Sequence, residues 1–121
     1  MTTTPPKPRF YRGDVILVVF PNSDLRTAKL RPASIVQADN LQTGLPQVIV
    51  AMITSNRTRA NHASRVRIRR TPRIGRQVGL LTDSVVMTDN LATLLETAID
   101  RVIGNVPMKP IDVALRHTLG L

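Results

Sequence analysis

The sequence predicts a small, mainly β domain with minor α content: a strongly bent antiparallel sheet or small barrel of five to seven strands, followed by a C-terminal helix. Three observations predict it. Short, β-branched apolar runs recur through most of the chain, each bounded by Gly, Pro, Asn or Asp. Apolar residues at helical spacing occur only near the C-terminus. The 121 residues fit one domain, and no repeat or internal linker divides them.

The elements follow in order. Residues 15–20 form an unbroken apolar run between Gly13-Asp14 and Pro21-Asn22, too short and too β-branched for a helix. Residues 21–30 are polar and read as a loop. A second strand spans 33–38, started by Arg31-Pro32, because proline suits a strand's first residue or an edge. Gly44 marks a turn in the loop 39–46. The third strand, 47–53, is closed by Thr54-Ser55-Asn56. A basic loop fills 57–64. Residues 65–69 alternate Arg-Val-Arg-Ile-Arg, which puts three arginines on one face and turns Val66 and Ile68 inward. After a loop at 71–77, residues 84–87 and 91–95 read as strands, and 97–102 as a short helix or strand. Residues 104–107 break the pattern. Pro110 suits a first helical turn, and Ile111, Ala114, Leu115 and Leu119 recur at helical spacing, which predicts a helix over 109–119.

Composition narrows the function. The 17 Lys and Arg outnumber the 8 Asp and Glu, for a net charge of +9, and only three of the 17 are Lys. Arginine pairs bidentately with phosphate and stacks on bases, so the expected partner is a polyanion, nucleic acid first. With Phe10, Tyr11 and Phe20 as the only aromatics, base-stacking platforms are scarce, and arginines and backbone groups must do most of the holding. The absence of cysteine excludes disulfides, thiolate metal sites and cysteine nucleophiles. Residues 1–9, rich in Thr and Pro, read as a flexible arm before a single domain at 10–121, and lack a signal-peptide core. No apolar run is long enough for a membrane helix. The expectation is a cytoplasmic protein without a membrane partner, with dimerisation compensating for a modest core.

The stretch from Arg12 to Val36 carries Gly13-Asp14, Phe20-Pro21 and Lys29-Leu30-Arg31-Pro32-Ala33. Further on come Met52-Ile53-Thr54-Ser55, then Asp83-Ser84-Val85-Val86, Asp89-Asn90-Leu91 and the tail from Ala114 to Leu121. In order and spacing this resembles the MazF/PemK toxins of type II toxin–antitoxin systems, over roughly residues 11–121. The resemblance implies an SH3-like barrel with a terminal helix, usually a homodimer. It implies metal-independent, sequence-selective cleavage of single-stranded RNA, with no cofactor. It also implies a cognate antitoxin whose acidic or apolar tail fills the RNA groove.

Carried over residue by residue, the resemblance makes Arg31 the principal catalytic residue and Thr54 its hydroxyl partner, with Ser55 able to share that task. Cleavage without metal uses the neighbouring 2′-OH as nucleophile, so the site needs charge-assisted donors at the phosphorane. Arginine stays protonated and therefore acts electrostatically first. Arg26 stands where many relatives carry a loop Glu; Asp24 is the nearby carboxylate that could replace it, which leaves the general base open. Ala92 stands where many carry Arg. Arg26, Lys29, Arg57, Arg59, Arg65, Arg67 and Arg69 are the candidate RNA contacts. His62 and His117 suggest a two-histidine ribonuclease, but nothing in the sequence brings them together, and no metal-ligand spacing is present. The alternatives are a basic SH3-like module that binds without cutting, or one directed at DNA gyrase.

Overall fold

Residues 10–21, 24–70 and 79–121 are described in the computed structural model, Pro21 by its backbone alone. The predicted arm 1–9 and the whole of the predicted loop 71–77 lie outside them. The apolar runs become six strands: β1 (Asp14–Pro21), β2 (Ala28–Ile35), β3 (Gln47–Thr54), β4 (Arg65–Ile68), β5 (Ser84–Leu95) and β6 (Ile99–Asn105). They make one sheet in the order β4-β5-β3-β2-β1-β6. Every pairing is antiparallel. The sheet is small-barrel-like but not closed, with β4 and β6 as its edges.

Both faces of the central strands are buried, which is why their sequences read as continuous rather than alternating apolar runs. On one face Val15, Ala51, Ile53 and Val86 pack beneath helix α1 (Met108–Leu119), which contributes Ile111 and Leu115. On the other, Ile16, Val18, Val48, Val50 and Val85 form a second cluster, with Phe10 and Phe20 packed against it. Helix α1 begins one residue before the predicted start and ends at Gly120, whose left-handed φ of +72° lets its N–H reach the Arg116 carbonyl. The Arg12 guanidinium pairs with Asp112 and so ties the entry to β1 to this helix.

Three departures from the sequence reading shape the molecule. Strand β2 begins at Ala28, so Pro32 lies inside it rather than starting it. Val36 donates its N–H to Ile49 of β3. Donors toward one neighbour alternate along an antiparallel strand, so residue 32 also turns its nitrogen to β3. Proline has no N–H to give, and β2–β3 pairing stops at Ala33↔Met52 while β1–β2 pairing continues through Pro32 to Ala28.

The two strands predicted at 84–87 and 91–95 are one strand, β5, with an irregularity between them. Against β3, Met87 pairs with Met52 and Leu91 with Ala51, so three extra residues, 88–90, stand opposite a single step. The segment 97–102 resolves into a 3₁₀ turn (Glu96–Ala98) and the first part of β6, which runs through the expected break at Gly104 with a register shift against Val15/Ile16.

Candidate active site

Where β2 and β3 cease to pair, a groove of about 680 Å³ opens. Continuing the Ala33↔Met52 register by two residues would set Arg31 opposite Thr54, and both line the groove. Lys29, Ser55, Arg59, Asn90 and Arg101 also line it, with Phe20, Leu30, Leu80 and Leu81 as apolar walls. Four cationic side chains and no carboxylate are among its lining residues. Such a cleft concentrates positive potential and favours an anion.

Thr54 is fixed by its local sequence. Its Oγ1 accepts the Asn56 N–H at 3.1 Å, so one lone pair is taken and the hydroxyl hydrogen is left for another acceptor. Asn56 then caps the 3₁₀ turn Arg57–Arg59, its Oδ1 accepting from the Thr58 N–H at 3.2 Å and the Thr58 hydroxyl at 2.6 Å. The turn is held from the far side as well. Arg65 Nη1 donates to the Arg59 carbonyl at 3.1 Å, and Arg65 Nη2 reaches Asp89 at 2.9 Å. Arg59 is thus presented to the groove from an anchored backbone. The Arg65 hydrogen bond, ahead of other causes, holds the Asp89 carboxyl below its usual range.

The predicted residues divide by position. Arg31, Thr54, Ser55, Lys29 and Arg59 share the groove. Asp24, Arg26, Arg57, Arg65, Arg67 and Arg69 do not line it. Asp24 is engaged in its own loop: it accepts from the Arg26 N–H at 2.9 Å, the Thr27 N–H at 3.0 Å and the Thr27 hydroxyl at 3.0 Å. These bonds, the Thr27 N–H first, lower its pKa and favour the carboxylate as a turn acceptor. Arg57, Arg67 and Arg69 are exposed, and Val66 and Ile68 face the core as predicted. Arg69 lies one residue beyond β4, and Arg65 is tied to Asp89, so the shared arginine face is shorter than the alternation implied.

Sequence reasoning missed Asn90 and Arg101. Asn90 enters the groove from the irregularity in β5, and Arg101 enters from β6, opposite Leu17 of β1. Asn90 lies in the Asp89-Asn90-Leu91 segment of the resemblance, which assigned it no role, and Arg101 stands in no motif; sheet pairing brings both to the groove. The two histidines do meet, ring centroids 6.1 Å apart and edge to face. Neither lines the groove, and His62 Nδ1 accepts the Ser64 N–H at 3.1 Å. Among the described residues no group of three or more His, Asp or Glu could hold a metal ion, and no helix is long and apolar enough to cross a membrane.

Comparison with known proteins shows the family and the fold. A family model described as PemK-like, MazF-like toxin of type II toxin–antitoxin system matches residues 11–117. Among solved structures, an endoribonuclease in complex with its cognate antitoxin, from a mycobacterial species, is 24% identical, with TM-score 0.69, over 92% of this chain and 95% of that one. An endoribonuclease from a mycobacterial species is 25% identical, with TM-score 0.66, over 92% and 91%. The Mycobacterium tuberculosis toxin MazF-mt6 is 23% identical, with TM-score 0.65, over 88% and 97%. A search of curated proteins finds no match to the sequence.

Proposed function

Because the chain belongs to the PemK-like, MazF-like toxins of type II toxin–antitoxin systems, we propose that it is a metal-independent endoribonuclease that cuts single-stranded messenger RNA at short specific sequences. The observation that carries this reading is the placement of Arg31 and Thr54 across the gap that Pro32 leaves between β2 and β3. In the reaction the substrate's 2′-oxygen attacks the adjacent phosphorus and gives up its proton, and the bond to the 5′-oxygen breaks as that oxygen gains one. The products end in a 2′,3′-cyclic phosphate and a 5′-OH. Arg31 stabilises the extra negative charge of the phosphorane with charge-assisted hydrogen bonds. Thr54, its oxygen already accepting from Asn56, donates its hydroxyl hydrogen to a phosphate oxygen, with Ser55 beside it. Asp24, kept ionised by its loop, shapes the chain that leads into β2. Lys29 and Arg59 hold the backbone in the groove, and Arg26, Arg57, Arg65, Arg67 and Arg69 supply the wider positive field. A cognate antitoxin covers the groove, a reading supported by the 24% identical endoribonuclease, which is in complex with its own antitoxin, and the working unit is a cytoplasmic homodimer.

The test is cleavage of a long single-stranded RNA in EDTA by the protein and by its Arg31→Ala and Thr54→Ala variants, with product ends analysed. Discrete cuts with cyclic-phosphate ends are expected, slowed about 10²- to 10³-fold by loss of Arg31. Full activity in Arg31→Ala would sink the mechanism. Arg26 in place of a loop Glu and Ala92 in place of Arg favour one second reading, a module that holds RNA without cutting it. Salt-dependent binding with no cleavage would establish it. Inhibition of DNA supercoiling that survives Arg31→Ala would instead point to gyrase.

A further inference from the structure

A second recess, of about 360 Å³, lies at the start of β6 and shares Arg101 with the groove. Its lining includes Phe10, Glu96, Ile99, Asp100 and Val102. Three features set it apart. Phe10 is one of only three aromatic rings in the chain, and it comes here next to a groove that already holds Phe20. Glu96 and Asp100 are two of only eight acidic residues, placed beside the cationic path that the groove offers to a polyanion. Asp100 Oδ2 pairs with Arg101 Nη1 at 2.5 Å, whereas Glu96, half-buried, makes no ion pair or side-chain hydrogen bond among the described residues. A carboxylate beside a phosphate track is repelled by it unless it accepts hydrogen bonds from something that track carries. The groups on a single-stranded RNA able to donate in this way are base N–H groups and sugar hydroxyls.

We propose that this recess is a second nucleotide subsite, one that selects guanine beside the nucleotide that is cut. The assignment rests on reading the groove as the RNA cleavage site. Guanine is favoured because its N1–H and N2–H₂ are adjacent donors on one edge, which a carboxylate accepts together. Uracil presents two carbonyls around a single N–H, and cytosine one amino group beside two acceptors. Phe10 and Ile99 supply the apolar surface for the base. Arg101, standing between groove and recess, holds the phosphate that joins the two nucleotides, and Asp100 keeps its guanidinium there.

The experiment sequences what the protein selects from a randomised single-stranded RNA pool, both the bound fraction and the cleaved ends. It compares the full chain with Glu96→Gln, Asp100→Asn and Arg101→Ala, each shown by melting to be folded. Guanine is expected to be enriched at one fixed offset, in bound and cleaved RNA alike. Glu96→Gln is expected to weaken that enrichment about tenfold, since an amide offers one acceptor where the carboxylate offers two. The loss should appear in KM rather than kcat for guanine-containing substrates. Arg101→Ala should weaken binding of all sequences alike. Enrichment of guanine in bound RNA without any cuts would uphold the subsite and overturn the ribonuclease reading. A base preference at every offset that is the same in Glu96→Gln and Asp100→Asn as in the unaltered protein overturns the subsite, whether or not the RNA is cut. So does a pool in which guanine is enriched nowhere.

Discussion

At the scale of single residues, polar side chains fall into those that face the groove and those that hold the fold. Asp89 belongs to the second group. Its pKa in the folded protein is lowered chiefly by the hydrogen bond from Arg65. A depressed carboxylate stabilises the fold above its unfolded value, about 3.9, and that contribution disappears as pH falls through the lower, folded value. Asp89→Asn is therefore expected to lower stability at neutral pH, with the difference from the parent fading in acid. The pair is more than a third exposed on the Asp89 side, 37%, so the loss should be at most about 1 kcal/mol. Thermal melts of both proteins across a pH series would check the sign. Ser34 gives the opposite case. Its hydroxyl is fully buried between Val15 and Ala51 and has no hydrogen-bond partner among the described residues. Removing an unsatisfied buried polar atom relieves a desolvation cost, so Ser34→Ala should be neutral or stabilising by up to about 1 kcal/mol in chemical denaturation. Clear destabilisation would mean that the hydroxyl has a partner in solution.

At the scale of elements, Pro32 is decisive. Its missing N–H ends the β2–β3 ladder two residues short of the position where Arg31 and Thr54 would otherwise be drawn toward pairing geometry. Pro32→Val restores a donor facing β3. The expected outcome is a longer ladder, an unchanged or raised Tm, and RNA cleavage slowed by about tenfold or more, because displacement of a reacting group by about an ångström is enough for a loss of that order. Cleavage at the parental rate together with a longer ladder, read from amide exchange, would contradict this account of the groove. The irregularity in β5 acts similarly on its own strand. Thr88, fully buried there, bonds the Ser64 carbonyl at 2.5 Å and the Thr118 hydroxyl at 2.8 Å, so the extra residues are clamped to β4's entry and to α1. Asn90 thereby reaches the groove from a strand whose regular course would not bring it there.

At the scale of the whole molecule, the net charge of +9 is distributed so that the groove's lining has cations and no carboxylate. Binding of single-stranded RNA should weaken steeply with salt, with a log–log slope of about −0.7 for each phosphate neutralised. Lys29→Ala and Arg59→Ala are each expected to make that slope shallower by about one phosphate's worth. Anisotropy titrations across a salt series measure it directly, and an unchanged slope in both variants would remove these side chains from the RNA path.

The sequence by itself determined the elements and the chemistry available to them. The β-branched runs placed β1, β3 and β4 to within one residue, helical spacing placed α1 to within one, and the resemblance carried by Lys29-Leu30-Arg31-Pro32-Ala33 and Thr54-Ser55 pointed to Arg31 and Thr54, which both line the groove. These features are local: each follows from side-chain branching, periodicity or a short motif, and a linear reading contains all of them. Tertiary structure decided the rest, because it depends on which strands become neighbours. Pairing of β1 with both β2 and β6 brings Arg101 into the groove, seventy positions after Arg31. The β3–β5 register brings Asn90 there. The packing of α1 sets His62 beside His117. Whether an arginine lines the groove or props up a turn, as Arg59 and Arg65 respectively do, is likewise set by partners that are distant in the chain. Alternation along a strand fixes the face on which a side chain emerges, but only the folded sheet supplies what that face meets.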